Sequence, residues 1–123
     1  MKANELMLGD HVSHFDEGKN CVVTELRGSK VAVSYTDDNG STKYSELLPE
    51  MAFEPIPLTI EILKKNGFNE TFWGGEWTNN NVDFILIEHN DGFRMIDTNI
   101  VLSGVHHFQH ALRLCNIEKE IEL

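Results

Sequence analysis

The residue types best able to do chemistry are concentrated in one short stretch, His106-His107-Phe108-Gln109-His110. His106 and His110 stand four residues apart, which on a helix puts both imidazoles on one face. That is the spacing of a two-histidine metal chelate. A hydrolase built on such a pair needs a general-base carboxylate inside the frame, and position 107 is histidine instead. The sequence fixes no third ligand, although His11, His14 or His89 could approach through the fold. The simpler reading is a solvent-facing helix carrying ordinary histidines. The two thiols, Cys21 and Cys115, lie far apart and form no C-x-x-C, which excludes zinc-ribbon and thioredoxin-type sites. A Cys-His nucleophile pair would need a long-range contact that no spacing in the chain implies.

Aromatic residues are the second set. Phe72, Trp73 and Trp77 surround Gly74-Gly75, and Tyr35 and Tyr44 flank an Asn-Gly turn. Exposed, such rings stack on a peptide, a sugar or a base; buried, they fill the core of a small domain. These five residues are the candidate ligand-binding set, and His106 and His110 the candidate metal ligands. The chain has no P-loop, no Rossmann glycine pattern, no G-x-S-x-G and no calcium-binding D-x-D-x-D-G loop. No cofactor is implied and no catalytic set emerges, so a non-enzymatic reading leads.

The elements that must position these residues fall into two halves. In residues 1–57, Leu8-Gly9-Asp10 reads as a turn into a strand. Residues 20–27 and 30–36 read as strands joined by a two-residue Gly28-Ser29 turn of type II′. That register pairs Leu26 with Val31, Thr24 with Val33 and Val22 with Tyr35. A two-residue Asn39-Gly40 turn then sets Tyr35 opposite Tyr44 on the same face. Met51 to Phe53 offers a closing strand. In residues 58–123, Thr59 caps a short helix that ends at Asn66-Gly67. A Gly74-Gly75 turn would pair Phe72 with Trp77. Strands at 82–89 and 93–98 meet across Asn90-Asp91-Gly92, through either a two-residue or a three-residue loop. Residues 105–115 form the clearest helix, with Val105, Phe108, Ala111, Leu112 and Cys115 on one arc and His106, His110 and Arg113 opposite. Glu118–Leu123 offers a last strand.

Charge narrows the function classes. The 123-residue chain has a formal net charge of −10, and each half has five Lys/Arg against ten Asp/Glu. The only adjacent cations are Lys64-Lys65, so direct binding to nucleic acid or to an anionic membrane is disfavoured. The charge is compatible with a basic protein partner, and equally with a role only in keeping the protein soluble. The longest apolar run, Phe84-Ile85-Leu86-Ile87, is too short to span a bilayer, and the first ten residues lack the apolar core of a signal peptide. A cytoplasmic protein with free thiols is expected.

The order of Leu8-Gly9-Asp10-x-Val12, short hairpins, a turn and a last strand resembles an SH3-like barrel of the KOW or Tudor kind over about residues 5–55. The whole chain also resembles a group of small uncharacterised bacterial proteins often encoded on prophage-like elements. The matching residues are Glu5-Leu6-Met7-Leu8-Gly9-Asp10, Ile56-Pro57-Leu58-Thr59 with Asn66-Gly67-Phe68, and Val105-His106 through Gln109. The resemblance implies a fold and no activity. The expectation is therefore an α+β protein: an SH3-like barrel (1–57) followed by, and packed on, a helix–meander–helix unit (58–123). Its leading function is protein interaction. The alternatives are an acidic inhibitor that mimics nucleic-acid charge and a metal-dependent enzyme on the His106/His110 helix.

Overall fold

The computed structural model describes residues 1–15, 18–117 and 120–123. The chain is mixed α+β, mostly antiparallel strands with two α-helices, and divides into two compact units, Met1–Ile56 and Pro57–Leu123.

The first unit is one sheet of six strands: β1 (His11–His14), β2 (Asn20–Arg27), β3 (Lys30–Thr36), β4 (Thr42–Tyr44), β5 (Leu48–Pro49) and β6 (Phe53–Pro55). The order is β4-β3-β2-β1-β6, with β5 also on β3. Gly28 has φ +61°, as the first central residue of a type II′ turn requires, and Leu26 does pair with Val31. Beyond that the register slips at a bulge at Thr24, so Val23, not Thr24, faces Val33. The slip turns Cys21, Val23, Val33 and Tyr35 to one face. Val12, Cys21, Val23, Val31, Val33 and Phe53 are the buried heart of that face, joined by Ala3 and Leu6.

The second hairpin also departs from expectation. The Asp37 carboxylate accepts from the N–H groups of Asn39 and Ser41. Gly40, at φ +80°, closes a three-residue loop in place of the two-residue one. Tyr44 therefore pairs with Ser34 rather than Tyr35, and the two tyrosines take opposite faces of the sheet. The expected closing strand lies slightly later: Glu50–Ala52 is a 3₁₀ turn, and β6 pairs with β1. Pro55 fits because β6 is an edge strand.

The second unit has helix α1 (Ile60–Lys65) and then strands β7 (Asn69–Glu70), β8 (Glu76–Thr78), β9 (Leu86–His89), β10 (Gly92–Met95) and β11 (Val101–Leu102). Helix α2 (Val105–Leu114) follows. The sheet order is β11-β10-β9-β8-β7. The Thr59 hydroxyl accepts from the Ile62 N–H at the start of α1. At its end Gly67, at φ +88°, donates to Lys64 and Phe68 donates to Leu63, a Schellman motif. Asn66, buried at that end, binds the Glu122 backbone at both its N–H and its carbonyl, and so fastens the C-terminal segment. The strand expected at Glu118–Leu123 lies partly outside the described residues, and Glu120–Leu123 is not a strand.

The 90–92 connection is a two-residue loop, Asn90-Asp91, with His89 paired to Gly92, one residue earlier than an Asp-Gly turn would place it. Gly92 is required there: a Cβ would sit 2.3 Å from the Leu102 carbonyl oxygen. Helix α2 buries Val105, Phe108, Ala111 and Leu112 as expected, with Phe108 edge-on to Phe68 at 5.5 Å.

Candidate functional site: an aromatic hairpin tip

The β7–β8 hairpin carries the most exposed aromatic side chains of the chain. Asn69 pairs with Thr78 and Glu70 with Trp77, and the Thr71 N–H donates to the Glu76 carbonyl. The loop is therefore the four residues Phe72 to Gly75, not the expected two. A second turn inside it, from the Gly74 N–H to the Thr71 carbonyl, has Phe72 and Trp73 at its centre, and Gly74 (φ +76°) and Gly75 (φ +73°) then lead the chain back into β8 through a left-handed conformation that glycine adopts freely. This geometry lifts Phe72 and Trp73 out of the ladder, where they are 94% and 85% exposed. Their rings stand edge to face, 5.5 Å between centres, so each orients the other.

Two bonds hold the tip from below. The Glu70 carboxylate accepts from the Gly75 N–H at 3.0 Å, and the Gly75 carbonyl accepts from the Glu88 N–H at 3.0 Å. Glu70 and Glu88 thus stand on either side of Gly75. The Glu88 carboxylate lies 4.0 Å from where a Gly75 Cβ would be. The tip is aromatic at its apex and acidic at its base.

Trp77 leaves the expected set. The four-residue loop puts it opposite Glu70 instead of Phe72, on the inner face of the sheet, where it is 2% exposed. Lys64 of α1 lies 5.9 Å from its ring centre. The tyrosines belong to the other unit. Tyr44 is exposed on β4, whereas Tyr35 packs half-buried against the core with the Lys19 ammonium 5.5 Å from its ring centre.

His106 is also corrected. It is buried, not solvent-facing, because the buried arc of α2 spans roughly 220° at 100° per residue and takes in Gln109 and His106. The His107 and His110 rings lie against it at 4.0 and 5.9 Å between centres, the latter perpendicular. Among the described residues no group of three or more His, Cys, Asp or Glu is placed to hold a metal ion. His107 instead serves the helix start: its Nδ1 lies 3.3 Å from both the Gly104 N–H and the Ser103 hydroxyl. His107 and His110 also border an apolar groove of about 230 Å³ between β11 and α2, with Ile100, Leu114 and Cys115.

The sequence reading missed a second concave site, in the first unit. His14, Lys19, Cys21, Val33, Tyr35, Ser45 and Leu48 line a pocket of about 130 Å³. Strand parity was the available signal, since Val12 pairs with Cys21 and the His14 N–H donates to Lys19. The Thr24 bulge, which brings Tyr35 to the same face, was not visible.

No family model, curated protein or solved structure matches the chain. Among the described residues no helix is long and apolar enough to cross a membrane.

Proposed function

We propose that the protein is a non-enzymatic interaction module that presents the Phe72–Trp73 tip to a basic protein or peptide. The observation that carries this reading is the near-complete exposure of two large aromatics on a loop pinned by backbone and carboxylate hydrogen bonds. Leaving a Phe or Trp in water forgoes about 1.5–3 kcal/mol per side chain of burial. A partner that covers the tip recovers it, and the fixed loop loses little entropy on binding. Aromatic anchors of this kind dominate binding energy at protein interfaces. The Glu70 and Glu88 carboxylates at the base favour Lys or Arg on the partner, as does a net charge of −10. We also infer that the first unit is an SH3-like barrel, a reading supported by the return of β6 to pair with β1 after three hairpin-linked strands.

The test is affinity capture with the wild type and a Phe72→Ser/Trp73→Ser variant, from cells that express the protein. Because both side chains are exposed, the variant should keep the wild-type circular dichroism and melting temperature. It should lose a partner that the wild type retains. Identical partner sets for the two proteins would refute the reading.

A further inference from the structure

The first unit holds a pocket of its own. Its walls come from one face of three strands: His14 of β1, Cys21 of β2, and Val33 and Tyr35 of β3, closed by Ser45 and Leu48. Its volume, about 130 Å³, is close to that of a protein cavity that takes up benzene, about 150 Å³. One six-membered ring therefore fits.

The polar lining sets the ligand's charge. Residues 1–56 carry ten Asp/Glu against five Lys/Arg, yet no carboxylate is among the described lining residues. Instead Lys19 holds its ammonium over the Tyr35 ring, 5.5 Å from its centre. An ammonium has three N–H donors, so it can take a carboxylate in addition to its existing contacts. His14 Nδ1 is buried and has no hydrogen-bond partner among the described residues, and its ring is held by edge-on packing on Phe53 at 5.8 Å. A buried polar nitrogen without a partner is costly unless something pairs with it. Ser45 is already committed: its hydroxyl accepts from the Val33 N–H and donates to the Glu46 carbonyl.

We propose that this pocket binds a small aromatic carboxylate, with the ring between Tyr35, Val33 and Leu48 and the carboxylate on Lys19. The test is an ¹H–¹⁵N NMR titration of the full chain with benzoate, 4-hydroxybenzoate and, as the cationic control, benzylamine. Both carboxylates should give saturable shifts at Cys21, Val33 and Tyr35 at millimolar concentration, and benzylamine none. Lys19→Met, at an exposed side chain, should keep the spectrum's dispersion and weaken benzoate binding about tenfold, the loss of one charge-assisted contact. 4-Hydroxybenzoate should bind more tightly than benzoate, because its hydroxyl can pair with His14 Nδ1, and His14→Phe, which keeps an aromatic ring on Phe53, should remove that preference. Shifts that do not saturate, equal binding of benzylamine, or unchanged affinity in Lys19→Met would overturn the proposal.

Discussion

At the scale of single residues, the two tryptophans have opposite roles although only three residues separate them. Trp77 is 2% exposed and Trp73 is 85% exposed. Trp77→Ala should cost about 3–5 kcal/mol of stability, the usual loss for emptying a buried aromatic site. Trp73→Ala should change stability by less than about 0.5 kcal/mol, as at other exposed positions. Urea unfolding of the two variants measures both, and equal losses would contradict the placement. Gly92 makes a sharper case. Any Cβ there meets the Leu102 carbonyl oxygen at 2.3 Å and the Ser103 Cα at 2.8 Å, both backbone atoms that cannot swing aside. Gly92→Ala should destabilise by on the order of 3 kcal/mol. A thermal midpoint within a degree of wild type would contradict the pairing of β11 beside β10. Residue identity alone separated neither Trp73 from Trp77 nor Gly92 from the other turn glycines. Loop length decides the first and the approach of a distant strand decides the second.

At the scale of elements, turn positions were legible and registers were not. Gly28-Ser29, the Asn39-Gly40 turn, the Gly74-Gly75 turn, the Thr59 cap and the 105–115 helix were all visible, because each has a local cause in φ preference, capping or periodicity. Register depends on details that composition hides. One extra residue at Thr24, the Asp37 carboxylate capping two N–H groups, and the second turn within Phe72–Gly75 each shift a pairing. A one-residue shift moves every side chain to the other face, which is why Tyr35 and Tyr44 part company. Asn66 shows the same limit. As a helix terminator it was readable, but its grip on Glu122, 56 residues on, was not. Asn66→Ala strips partners from the C-terminal segment and should cost about 2 kcal/mol. Hydrogen exchange should show the amide of Glu122 losing protection, and an unchanged Glu122 rate would contradict the contact.

At the scale of the whole molecule, charge is the dominant property. A net charge of −10 repels other acidic surfaces and draws basic ones. Capture of the partner should therefore weaken several-fold between about 50 and 500 mM salt, as the Debye length falls from about 14 to about 4 Å. Salt-independent capture would mean that the aromatic tip acts without its acidic base. The candidate site was legible in the sequence as an aromatic cluster around glycines. Which rings face water was not, since that follows from a four-residue loop that Glu70 completes. The most direct measurement places the aromatic photo-crosslinker p-benzoylphenylalanine at Trp73, which keeps a large ring at the tip, with one at the exposed Glu46 as control, in cells that express the protein. The account predicts a discrete adduct with a basic protein from position 73 and none from position 46. No adduct at 73, or the same adducts at both positions, would contradict it.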